Sequence, residues 1–160
     1  VLYFIYCNEM WNQLDALTGL LNQNSYLKRT GGGRCNEGVL VVFDVDNFKQ
    51  INDRYGHVQG DVCLAEIAEC IKKVYANDGY CYRIGGDEFC VLLKNSEKEG
   101  ECRQEFLWRM EEKRRKIPFL PTVSYGSASF SGEDIVEVKE RADRDMYQYK
   151  NRRKNCSSTE

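Results

Sequence analysis

Hydrophobic positions along the chain recur with two different periods, and the order of the blocks predicts the architecture. The run Gly38-Val39-Leu40-Val41-Val42-Phe43-Asp44-Val45 stays apolar and largely β-branched until it meets acids, which predicts a buried central strand whose end opens into a site. Residues 58–76 place Cys63, Ile67, Cys70, Ile71 and Val74 at spacings near three and four, so a helix packed on that strand is expected. Residues 80–83 and 89–93 read as two strands. Between them lies Ile84-Gly85-Gly86-Asp87-Glu88, whose paired glycines permit the positive dihedrals of a tight hairpin turn and display two carboxylates at its tip.

Around this centre, residues 22–29 suit a short helix terminated by Gly31, Gly32 and Gly33. Residues 97–116 form a strongly charged helix, with 111–116 expected as a solvated face, and Pro118 and Pro121 break it. Residues 122–130 alternate like a strand, and 134–150 return to helix with Ile135, Val138, Ala142, Met146 and Tyr149 as its apolar stripe. This order predicts an α+β sandwich, a mixed or antiparallel sheet covered by helices. Neither GxGxxG after the first strand nor GxxxxGK[ST] occurs, so the two common glycine-loop nucleotide sites are excluded.

Composition narrows the class further. A chain of 160 residues with 42% hydrophobic and 30% charged positions suits one ordinary globular domain, and a net charge of -2 gives no nucleic-acid footprint. The cysteines, Cys7, Cys35, Cys63, Cys70, Cys81, Cys90, Cys102 and Cys156, form no CxxC pair, and Cys63, Cys70, Cys81 and Cys90 fall in apolar patterns, which argues for reduced, buried thiols over a disulfide framework. The apolar stretch 1–7 is far short of the ~20 residues that cross a bilayer. Residues 1–14 are expected as a helical linker, continuing from an upstream sensor or membrane segment or simply amphipathic, with 156–160 as a tail.

The chemistry concentrates in three acids, Asp44 at a strand end and Asp87 and Glu88 at the hairpin tip. Carboxylates suit Mg²⁺ or Mn²⁺, which accept hard oxygen ligands and share their coordination with water and phosphate. A helix opening at Asn47 would turn free amides toward the same acids and favour an anion, with Lys49 adding a cation. His57, the sole histidine, follows Gly56 before a helix and suits a turn or cap better than a hydrolytic triad.

Four motifs then coincide in order and spacing: Asp15-Ala16-Leu17-Thr18-Gly19-Leu20; Asp44-Val45-Asp46-Asn47-Phe48-Lys49-Gln50-Ile51-Asn52-Asp53; Gly56-His57-Val58-Gln59-Gly60-Asp61; and Gly85-Gly86-Asp87-Glu88-Phe89. Together they resemble a GGDEF domain, the diguanylate cyclase family, over residues 15–155. The resemblance implies a fold similar to the palm of nucleotidyl cyclases and polymerases, a ferredoxin-like sandwich with a mostly antiparallel sheet flanked by helices. It implies condensation of two GTP into cyclic di-GMP by a two-metal mechanism across a transient head-to-tail homodimer, in the cytoplasm, with any membrane anchor lying upstream. Asp44, the Val45 carbonyl and Asp87 would ligate metal, with Glu88 sharing that role or accepting the hydroxyl proton. Asn47, Phe48 and Lys49 would adjoin the substrate, Asn52 and Asp61 would read guanine, and Leu64 would supply an apolar wall. Asp143, Tyr147 and Lys150 match the family's last helix, where Lys150 and Lys154 would approach the β and γ phosphates. The rival reading is a catalytically inactive GTP-binding module that regulates a partner; retention of Asp44, Asp87 and Glu88 favours the enzyme.

The sequence departs from the family pattern in three places. Lys154 stands where arginine is more usual, losing the bidentate fork, and neighbouring Arg153 is an alternative phosphate ligand or part of a basic tail. Asn22 is followed by Gln23 and Asn24 where Asn-Arg is usual. The inhibitory RxxD is replaced by Ala76-Asn77-Asp78-Gly79, which lacks both the arginine and the aspartate. Cyclic di-GMP is therefore predicted not to inhibit through that stretch; micromolar binding in calorimetry that an Asp78 substitution abolishes contradicts this.

Overall fold

Strand β1 (Glu37–Val45) organises the sheet, because it is buried on both faces and pairs antiparallel with a neighbour on each side. The computed structural model describes residues 1–3, 12–31 and 36–157, the side chains at 154, 156 and 157 excepted. Along the chain come α1 (Gln23–Gly31), β1, α2 (Phe48–Tyr55), α3 (His57–Tyr75), β2 (Gly79–Arg83), β3 (Glu88–Leu93), a 3-10 turn (Ser96–Lys98), α4 (Glu99–Lys116), β4 (Val123–Ser131) and α5 (Ile135–Ser157). The strands form one antiparallel sheet in the order β2-β3-β1-β4. The expected α+β sandwich is what the chain forms. Of the N-terminal linker, residues 4–11 lie outside the described residues, as do 32–35 and the glycines within them; at the other end α5 runs past the expected boundary at 155.

Alternation along β1 divides the core in two. Val39, Val41, Phe43 and Val45 face one side with residues of α3 and α4, where Phe43 meets the rings of Tyr75 and Phe106 at 5.8 and 5.0 Å. Leu40 and Val42 face the other side with Tyr26 of α1 and Val138 and Ala142 of α5. Fully burying such side chains stabilises the fold by roughly 1.5–3 kcal/mol each. Gly56, at φ 87, is the corner between α2 and α3, a left-handed conformation that a Cβ would strain.

Two expectations are corrected. The run 111–116 is not uniformly solvated: Lys113 pairs with Glu66 and Glu69 of α3, and Arg114 Nε donates to the Leu120 carbonyl at 3.1 Å, so the end of α4 is tied to its neighbours. Tyr149 departs from the α5 stripe. Ile135, Val138, Ala142 and Met146 stay with the α1/α5 core, whereas Tyr149 packs on Tyr125 of the opposite face at a centroid distance of 4.4 Å, because α5 passes over the edge strand β4.

The five described cysteines, Cys63, Cys70, Cys81, Cys90 and Cys102, are free and buried, as expected; Cys7, Cys35 and the Cys156 side chain lie outside the described residues. Burial pushes the Cys63 thiol up to about 11 and Cys81 to about 12, so both stay protonated and unreactive at neutral pH.

Helix α5 lies close on β4 because Gly126 has no side chain. A Cβ there would stand 2.2 Å from the Met146 amide nitrogen and 2.3 Å from the Ala142 carbonyl oxygen, both backbone atoms that cannot yield without moving the helix. Gly126→Ala is predicted to destabilise the domain by at least the ~1–3 kcal/mol typical of overpacking, read as a lower midpoint in urea unfolding.

Candidate active site

The site begins where β1 ends. Asp44 stands in register opposite Glu88 of β3 and opposite Ser124 of β4, and the Val45 amide donates to the Asp87 carbonyl at 3.2 Å. The strand end and the hairpin tip are thus stitched together, and the carboxyl-bearing residues Asp44, Asp87 and Glu88 gather at one end of the sheet. Register partners share a face, so Asp44 and Glu88 both lie on the side covered by α5. Val45 is buried, Asp44 and Asp87 are half-buried, and Glu88 is exposed. Among the described residues no three His, Cys, Asp or Glu side chains cluster tightly enough to enclose a metal on their own.

The hairpin is shaped differently from the sequence expectation. Neither Gly85 nor Gly86 adopts a positive φ. Four residues, Ile84 to Asp87, connect the strands, and the Ile84 and Gly85 amides both donate to the Glu88 carbonyl at 3.0 and 3.3 Å, so no primed two-residue turn is required. Gly85 instead makes room for the Glu88 side chain, whose Oε2 would lie 2.8 Å from a Cβ at that position.

Arg83 fixes this loop from below. Its Nε donates to the Gly85 and Gly86 carbonyls at 3.2 Å each and its Nη2 to Gly86 at 2.7 Å, while Nη1 reaches both Asp15 oxygens at 3.2 Å. Asp15 in turn accepts from the Thr18 amide at 2.9 Å and the Thr18 hydroxyl at 2.6 Å. The first motif is therefore a turn built to hold an arginine under the hairpin. Burial pushes the Asp15 carboxyl up, but the Thr18 bonds and the Arg83 guanidinium outweigh it and leave the group below its ordinary value. In the sequence alone the only signal for Arg83 is its place at a strand end before the glycines.

Further candidate residues lie along α2 and at the start of α3. Asn47, in the left-handed region at φ 56, precedes α2, and Lys49 is exposed at its first turn. Asn52 lies over Gly60, where a Cβ would meet Asn52 Oδ1 at 1.9 Å and Phe48 Cζ at 3.3 Å. Asn52 Oδ1 is buried and accepts no hydrogen bond within the described residues. An amide oxygen left this way is an acceptor waiting for a donor. Asp61 is exposed one residue beyond Gly60, His57 is exposed at the start of α3, and Leu64 sits in the core, 2% exposed.

From α5, Lys150 Nζ reaches Asp44 Oδ2 at 2.9 Å and Asp46 Oδ1 at 3.4 Å. The bond to Asp44, reinforced by Asp46, holds this ammonium above its ordinary value, so it stays charged. Arg153 Nη1 reaches Asp46 Oδ2 at 3.2 Å. Asp46, which the sequence reading left without a role, is 9% exposed and sits at the centre of these contacts. The Lys154 side chain lies outside the described residues. Asp143 pairs with Lys139 at 2.9 Å and Tyr147 is exposed. In the stretch that replaces RxxD, Asp78 is engaged by Lys98 at 2.6 Å.

Known proteins similar to this chain fall in one family. A family model described as "Diguanylate cyclase, GGDEF domain" matches residues 12–156. The chain is 34% identical over 156 residues to diguanylate cyclase DgcS of Shewanella oneidensis, covering 92% of this chain and 53% of that protein. It is 32% identical over 143 residues to diguanylate cyclase A of Treponema denticola, covering 85% and 38%. The chain thus spans about half or less of the length of these curated relatives. Among solved structures, a microbial GGDEF domain studied with cyclic di-GMP superposes with a TM-score of 0.72 at 32% identity, covering 87% of this chain and 93% of that one.

The Asp15 carboxyl gives a pH signature. Its value falls on folding, so the link to Arg83 and Thr18 contributes fully above the ordinary value of 3.8 and is lost as pH drops through the lower folded value. The stability gap between the parent and Asp15→Asn is predicted to be constant above about pH 5 and to shrink below about pH 4. Urea unfolding across pH measures it, and a gap that stays flat to the acid limit contradicts the assignment.

Proposed function

The chain belongs to the GGDEF-domain family of diguanylate cyclases, and from that membership we propose that it condenses two molecules of GTP into cyclic di-GMP with release of pyrophosphate. The observation that carries the reading is the meeting of Asp44 at the end of β1 with the Asp87–Glu88 hairpin, and the buried Asn52 side-chain oxygen that accepts no hydrogen bond among the described residues is consistent with it.

Each 3′-hydroxyl attacks the α-phosphorus of the facing GTP, and the bond to the pyrophosphate leaving group breaks. Asp44, the Val45 carbonyl and Asp87 would hold Mg²⁺ or Mn²⁺; this all-oxygen set fits a hard cation that fills its remaining positions with water and phosphate. Such an ion, when bound, neutralises the triphosphate and acidifies the 3′-hydroxyl. Glu88, exposed beside Asp44 in register, shares that ion or accepts the hydroxyl proton. Asp61 accepts from the guanine N1 and N2 hydrogens, which adenine does not offer together, and Asn52 meets the remaining edge. Asn47, Phe48 and Lys49 border the triphosphate, Leu64, one turn beyond Asp61, supplies an apolar wall, and Lys150 and Lys154 would approach the β and γ phosphates.

One chain presents one such site, and the product requires two GTP, so catalysis needs a transient homodimer with the sites facing. Pairing is weak where nothing raises the local concentration of a second copy. The reduced, buried thiols and the GTP substrate suit the cytoplasm. No helix among the described residues is long and apolar enough to cross a membrane.

Concentrated protein incubated with GTP and Mg²⁺ is predicted to yield cyclic di-GMP by chromatography, with Asp87→Ala and Glu88→Ala each reducing the rate by at least about a hundredfold. GTP binding without turnover, even after fusion to a dimerising helix, replaces the enzyme with a regulatory GTP-binding module.

A further inference from the structure

Asp46 is a buried carboxylate with every acceptor position occupied. Its Oδ1 accepts from the Ser124 hydroxyl at 2.6 Å and faces Lys150 Nζ at 3.4 Å; its Oδ2 accepts from the Thr122 hydroxyl at 2.7 Å and Arg153 Nη1 at 3.2 Å. Its own amide donates to the Thr122 carbonyl at 2.9 Å, which fixes the backbone as well. A carboxylate this buried, 9% exposed, is tolerated because each oxygen meets one hydroxyl and one cation.

The two cations come from one face of α5, three residues apart. The hydroxyls come from the start of β4. Asp46 therefore ties three elements together at the mouth of the site, between Val45 and Asn47. Lys150 lies between the Asp46 and Asp44 carboxylates, so its ammonium is pinned at the strand end. Arg153 has a second support, since its guanidinium lies 5.6 Å from the Tyr149 ring, itself packed at a 44° tilt on Tyr125.

We propose that Asp46, with Arg153 as its counter-ion, is a positioning residue for the triphosphate: the pair clamps the last turns of α5 so that Lys150 points into the site. The inference rests on the GTP-binding reading above. Arg153 matters because it balances Asp46. Without it, two carboxylates would compete for the single Lys150 ammonium and leave net negative charge where a polyanion must bind. Arg153 thus acts through Asp46, not as a phosphate ligand in place of Lys154.

The direction of one effect separates this clamp from simple electrostatics. If Asp46 were only a negative charge near the triphosphate, Asp46→Asn would tighten binding. A clamp predicts weaker binding, because a neutral amide releases both cations. The measurement is calorimetric titration with 3′-deoxy-GTP and Mg²⁺, which lacks the attacking hydroxyl and reports binding without turnover. Asp46→Asn and Arg153→Ala are each expected to weaken binding by at least about tenfold, the scale of one lost charge-assisted hydrogen bond. The double variant is expected to bind about as well as Asp46→Asn alone, because that substitution already releases Arg153. Arg153→Lys keeps the charge and is expected to restore most of the affinity. In turnover the loss appears in KM more than in kcat.

Arg153 is partly exposed, so Arg153→Ala carries the test even if Asp46→Asn does not fold, with circular dichroism monitoring both. Unchanged or tighter binding by Arg153→Ala, or additive losses in the double variant, overturns the clamp while parent binding upholds the GTP reading. Absence of binding by the parent overturns both.

Discussion

The antiparallel pairing of β1 with β3 carries the rest of the structure, because the same register that buries the core also assembles the site. Phe43 lies opposite Phe89 and Val41 opposite Val91 on the α3/α4 side, and the next pair along is Asp44 with Glu88 on the other side. A slip of one residue would drive Asp44 into the apolar core and turn Phe43 outward, a change the core cannot absorb. The positions of the acids are thus enforced by apolar packing on both faces of β1 that has nothing to do with chemistry.

That frame ends at the last strand residue, and the loops beyond it are held by one half-buried and one buried charged group. Arg83 fastens the hairpin to the Asp15–Thr18 turn, and Asp46 fastens the start of β4 to the end of α5. Both knots use a charged group whose bonding capacity is nearly filled, and such groups lose much if a single partner is removed. Rigid placement is what phosphoryl-transfer chemistry asks of a protein, since positioning and charge supply most of its contribution. Between α2 and α3 stands the complementary feature, a buried acceptor on Asn52 held over Gly60 with no donor among the described residues.

The free chain keeps opposite charges in contact at the site: Lys150 with Asp44 and Asp46, Arg153 with Asp46. An arrangement of this kind holds acids and bases close together without the cost of isolated buried charge.

The amino-acid sequence by itself determined the elements, the fold class and the family motifs, and it nominated the acids that the sheet brings to one end. Periods of two and near four are local properties, readable within a strand or a helix, and the spacing of the D-x-D, G-H and GGDEF segments is equally local. What only the tertiary structure decided are contacts between segments that no local pattern links. Arg83 meets Asp15 across 68 positions, Thr122 meets Asp46 across 76, and Arg153 meets Asp46 across 107. The same holds for Tyr149, which follows the helical stripe in sequence yet crosses to the opposite core, and for the hairpin glycines, whose backbone is set by the Glu88 carbonyl and Arg83 and not by intrinsic turn preference. A buried charge has no periodicity; its partners are chosen by which elements the sheet brings side by side.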